Sequence, residues 1–148
     1  MKYDPKDAVK HLVHDYVYLV AAGTDTQRPH GHPFNHYAER TFLVHCRAMA
    51  EFFSGEKEIS PVHFTREPFT PSLPTWKNWK PHVNMHLMHV SRGRITNKIP
   101  WTGEANGPML KEFREVWGEF LGEMKDDLRP LFEEEIDKHR KGFVGYQL

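Results

Sequence analysis

The sequence predicts an all-α protein, an up-down four-helix bundle with a long proline-rich loop between its second and third helices. Three observations carry that expectation. Apolar residues recur at helical spacing in four separate stretches. No stretch alternates convincingly at period two, so no sheet is expected. The stretches are separated by segments dense in Gly and Pro, the usual punctuation between helices.

The first predicted helix covers residues 5–22. Pro5 suits a first-turn position, and Gly23 suits a stop. Ala8, Val9, Leu12, Val13, Tyr16, Leu19 and Val20 share one face, with His11, His14 and Tyr18 opposite. A loop over 23–35 follows. The second helix is predicted from His36 to Ser54, with Asn35 as N-cap and Gly55 past its end. Its apolar face is Phe42, Leu43, Cys46, Met49, Ala50 and Phe53. Glu39 falls inside that face; His45 and Phe52 lie to one side and Arg47 to the other.

Residues 56–80 carry prolines at 61, 68, 71 and 74, and Trp76 and Trp79. So long a connection is often functional, and its aromatic residues predict that it packs over the bundle. The third helix is predicted to begin near Pro81. Val83, Leu87 and Val90 form a narrow apolar stripe, with His82, His86 and His89 about a quarter-turn away. After a loop over 97–107, the fourth helix starts near Pro108 and runs to Leu128, its apolar residues within a third of the wheel. Pro130 interrupts, a short helix follows over 131–140, and the tail from Lys141 is apolar enough to dock on the bundle or on a partner. Helices two and three are expected to be central, with the 56–80 loop across them.

Size and charge bound the function. A single domain over 1–148 buries roughly 70% of its unfolded surface. Lys plus Arg is 20 and Asp plus Glu is 20, so no overall field draws the chain to nucleic acid, although a local basic groove is compatible with that total. A lone cysteine, Cys46, excludes an internal disulfide and fits a cytoplasmic protein; it is expected in the core. No secretory signal and no membrane span are expected. No cofactor is identified.

Four constellations stand out. His82 and His86 are spaced i, i+4, and His89 follows at i+3, so two rings can lean over one metal. The third ligand would be His11, His14 or His45. No HExxH or Glu-x-x-His pair accompanies them. Glu39 and Arg94 are charged residues on apolar faces of neighbouring helices, and a buried ion pair is one expectation for them. His45, Arg47, Asn84, His89 and Arg94 together are the residue types of a phosphodiester site. Histidine exchanges protons near neutral pH, arginine holds phosphate, and asparagine positions a base or hydroxyl. The plain alternative is a polar network that sets helix register. A structural or interaction role, through a homodimer formed by the apolar tail, is the third class.

The phrases FLVHCRAMAEFF at 42–53 and VNMHLMHVSRGR at 83–94 resemble a signature found, in this order, in small bacterial proteins of uncharacterised function. The resemblance covers about a quarter of the chain and implies a helical bundle with His45, Arg47, Asn84, His89, Ser91 and Arg94 as signature positions. Those proteins carry an acidic residue just before the position of Thr41, where this chain has Arg40; Glu39 is displaced by one. More loosely, the bundle resembles HEPN domains, which implies a metal-independent ribonuclease. The HEPN motif places Arg before His, whereas here His89 precedes Arg94. The histidine stripe, by contrast, is similar to the metal sites of DinB-like bundles. The function expected from all this is binding of a phosphate-bearing ligand, RNA or a nucleotide, with a metal-binding bundle and a non-catalytic interaction protein as the alternatives.

Overall fold

The computed structural model describes residues 3–29, 31, 33–88 and 103–148. Among these it contains five α-helices and no strand: α1 (Pro5–Thr26), α2 (Phe34–Ser54), α3 (Pro74–Met88), α4 (Asn106–Glu123) and α5 (Arg129–Arg140). The described residues are all-α, and the fifth helix is the short one expected after Pro130. None of the described helices is long and apolar enough to cross a membrane.

The hub of the packing is α1, which lies along α2 and also touches α4 and α5, while α3 leans on α2 and α4. Of the two helices expected at the centre, α2 does pack on α1, α3 and α4, whereas α3, described to Met88, only borders α2 and α4, and α1 takes the central place expected of α3. Most of one side of α1 is buried, from Ala8 to Gly23, against only Trp76 and Val83 among the described apolar side chains of α3. Asp4 starts α1 by accepting from the Lys6 amide at 2.9 Å, with Pro5 in the first turn. Gly23 does not stop the helix. A Cβ there would lie 2.8 Å from Phe42 of α2 and 3.0 Å from Leu110 of α4, so glycine lets three helices approach closely. At the end of α2, Gly55 takes φ 74°, the left-handed cap conformation expected of it.

The connection after α2 packs down as its aromatic residues predict, but its Phe64 lies against α2, α4 and α5 and not across the second and third helices. Phe64 is fully buried and meets Phe52, Phe120 and Phe132 edge-on, at centroid distances of 5.8–6.2 Å. Two backbone bonds, Arg66 N to Glu123 O at 2.9 Å and Lys125 N to Phe64 O at 2.8 Å, tie it to the break between α4 and α5.

The third helix begins seven residues before Pro81, so Trp76 and Trp79 are helical and Pro81 is internal. Its start is capped from a distance. Glu112 of α4, itself buried, accepts from the Thr75 amide at 2.8 Å and the Trp76 amide at 2.9 Å, meeting amides that a helix start leaves open. Pro81 has no amide to offer the Lys77 carbonyl, and both residues are exposed, so water can take that place. The tail also docks inside the chain. Phe143 meets Tyr18 edge-on, and the Tyr146 hydroxyl reaches both carboxylate oxygens of Asp25 at 2.9 Å, under the Arg28 guanidinium.

Candidate functional site

Two helices approach each other at α2 and α3, and the side chains between them follow from helical periodicity. On α3, Lys77, Lys80 and Asn84 are spaced i, i+3 and i+7, which puts them on one face. On α2, Arg47 projects toward that face. The loop after α2 adds Lys57. Together they line a cleft of about 630 Å³, floored by Ala50, Phe53, Leu73 and Trp76. Four cations thus face two carboxylates, Glu51 and Glu56, in the lining. Glu51 is held one turn along α2 by Arg47, at 3.5 Å. Among the described residues Lys57, Lys77 and Lys80 have no ion-pair partner. The Oδ1 atom of Asn84 is buried, and among the described residues it has no hydrogen-bond partner.

Of the candidate catalytic residues, the cleft unites Arg47 and Asn84 and leaves out His45. His89, Arg94 and Ser91 lie outside the described residues. The imidazole of His45 turns to the other flank of α2, where its Nδ1 sits 2.9 Å from Asp15 Oδ1 on α1. There it joins His14, Tyr18, His139 and Phe143. The His14 ring is 5.9 Å from His45, 4.4 Å from Tyr18 and 6.4 Å from His139, and His139 stacks on Phe143. A single cluster of His45 with Arg47 and Asn84 is thus corrected to two separate faces, because residues two apart on a helix point about 200° apart.

Glu39, the acid expected to pair with Arg94, has other partners among the described residues. Its carboxylate accepts from Asn106 Nδ2 at 2.9 Å and lies 3.5 Å from His86 Nε2. It joins α2, α3 and α4. The neighbouring Gly103 backbone, at φ 78°, comes close enough that a Cβ would lie 3.2 Å from Glu39 Oε2.

The histidine stripe divides as well. His86 faces Glu39, while the ring of His82 lies 5.2 Å from that of Trp79. Among the described residues, no three His, Cys, Asp or Glu side chains are grouped to hold a metal. The candidate third ligands are elsewhere: His14 and His45 stand beside Asp15, and His11 is exposed on α1. Cys46 is fully buried, as expected. Burial, and then the Glu112 charge, push its thiol well above the ordinary value, so it is a neutral core group and no nucleophile.

Sequence reasoning missed Lys57, Lys77 and Lys80 in the cleft and Asp15 beside His45. The lysines carried a usable signal, since the Lys77–Lys80–Asn84 spacing is visible once α3 is begun at Pro74. Asp15 carried none, being 30 residues from its partner.

Comparison of the chain with protein families, with curated proteins and with solved structures finds no match.

Proposed function

We propose that the cleft between α2 and α3 binds a phosphate-bearing ligand, a nucleotide or RNA. The observation that supports this reading most directly is the excess of cations around one small cleft: Arg47, Lys57, Lys77 and Lys80 against Glu51 and Glu56. In a chain whose total charge is zero, that local excess makes a positive site without a positive molecule. Arginine can grip a phosphoryl group with two parallel bonds, and lysines add point charges on flexible stems. Around 630 Å³ also lies within the range of small-ligand sites, about 300–1,000 Å³.

Binding without turnover is the reading we favour. Cleavage of a phosphodiester needs an acid and a base within reach of the phosphate. Among the described residues lining the cleft there is no histidine, and His45 is engaged with Asp15 on the other flank of α2. A ribonuclease of HEPN type finds no support in that arrangement.

The test is calorimetric titration of the protein with a nucleoside monophosphate and with a short RNA, at low and at moderate salt. Binding should weaken as salt screens the cations. The triple variant Arg47→Ala, Lys77→Ala, Lys80→Ala should lose at least about tenfold in affinity while melting as the wild type does. Equal affinities for wild type and triple variant would remove the cleft as the binding site.

A further inference from the structure

Resting on that reading, we infer that the ligand is a small phosphorylated sugar, free or within a mononucleotide, and not an RNA strand. Three features of the cleft point the same way.

The first is the order of groups along α3. Lys77 and Lys80 come first, and Asn84 follows one turn later. Four residues advance a helix by about 6 Å. The anion-holding end of the cleft and its uncharged polar end are thus separated by about the span of a pentose phosphate, phosphoryl group to ring hydroxyls.

The second is the acceptor. Asn84 lines the cleft, and its Oδ1 is shut off from solvent and has no donor among the described residues. Burying an acceptor without a donor is unfavourable, and a ligand that supplies one relieves it. A phosphate dianion offers only acceptors, so a phosphoryl group alone does not satisfy this atom. A sugar hydroxyl next to the phosphoryl group does, by donating to Oδ1 once the amide turns into the cleft, while the phosphoryl oxygens accept from the lysines and Arg47.

The third is the floor. Single-stranded nucleic acid is commonly held by bases stacked on open aromatic faces along a basic groove. The aromatic residues here offer no such face: Trp76 is 4% exposed and Phe53 is 1% exposed. They close the bottom of the cleft as apolar packing. Charge and hydrogen bonding at the rim are left as the means of recognition, which suits a compact polar ligand.

The experiment uses the full chain and three probes: ribose 5-phosphate, inorganic pyrophosphate, and single-stranded oligouridine of several lengths. Calorimetry is run on wild type, Asn84→Ala, and Lys77→Ala/Lys80→Ala, each checked by thermal melt. Ribose 5-phosphate is expected to bind the wild type. Asn84→Ala should lower that affinity about tenfold and leave pyrophosphate affinity within twofold, because only the sugar donates to the amide oxygen. The lysine variant should weaken both. RNA binding that exceeds ribose 5-phosphate binding and strengthens with strand length would overturn this inference while leaving the cleft as an anion site. An equal loss for both small ligands in Asn84→Ala would overturn the hydroxyl contact. Failure of all three probes to bind the wild type would overturn the inference together with the reading beneath it.

Discussion

The two flanks of α2 carry residues of the same chemical kind in opposite circumstances. On the flank toward α1, His45 is engaged with Asp15 and surrounded by the rings of His14 and Tyr18. On the flank toward α3, Arg47 shares a cleft with Lys77, Lys80 and Asn84, whose buried amide oxygen has no partner among the described residues. His45 and Arg47 are two residues apart, and residue type alone assigns both to one phosphodiester site. What separates them is completeness. Polar groups that satisfy one another fix a structure, and polar groups left with surplus charge and an open acceptor are disposed to take a ligand.

The largest expected effect is on the support of the open flank. Glu112→Ala strips the cap from α3 and leaves two amides without an acceptor, at a cost of about 3 kcal/mol. Chemical denaturation measures it, and Glu112→Gln should recover part, since one oxygen remains. A Glu112→Ala variant as stable as wild type would mean that α3, and with it the cleft wall, is held by something else. The shared scaffold comes next. Gly23→Ala drives a methyl into Phe42, an overpacking cost of about 2 kcal/mol, offset by about 1 kcal/mol of better helix propensity. A net loss of about 1 kcal/mol in the same assay is expected, and a gain would show that Phe42 moves aside freely.

Smaller effects should distinguish the flanks. Asp15→Ala removes the partner of a half-buried imidazole, at a cost of about 1 kcal/mol or less, because Asp15 is partly open to water. Ligand affinity should not change; a change of tenfold would join the two flanks into one site. Glu51→Gln should act in the opposite sense on the other flank. It removes the carboxylate that competes for Arg47 and should raise affinity for a phosphorylated ligand severalfold, with stability altered by less than about 0.5 kcal/mol. Weaker binding in that variant would indicate that Glu51 positions the guanidinium for the ligand.

Much of the fold was legible in local pattern. The apolar faces of α1, α2 and α4 and the cap at Gly55 follow from residues within a few turns of one another, whereas the tail shows its apolar character locally but not its partners, Tyr18 and Asp25. The start of α3 was not legible, because its cap is Glu112, 36 residues further on. Without it, Pro81 reads as a first-turn proline and the lysines before it as loop. Gly23 was misread for a related reason: its smallness answers to Phe42 and Leu110, not to the end of its own helix. At the site, Arg47 and Asn84 were visible as residue types. Their separation from His45 follows from which neighbour each helix flank meets, a property of packing.

The central claim is that α2 presents one open and one completed flank, and it is tested most directly by nuclear magnetic resonance. Titration of the isotope-labelled protein with ribose 5-phosphate should shift the signals of Arg47, Lys77, Lys80 and Asn84 along one saturating curve, with those of Asp15, His45 and His14 unmoved. Shifts centred on Asp15 and His45 with the cleft signals unchanged would contradict it.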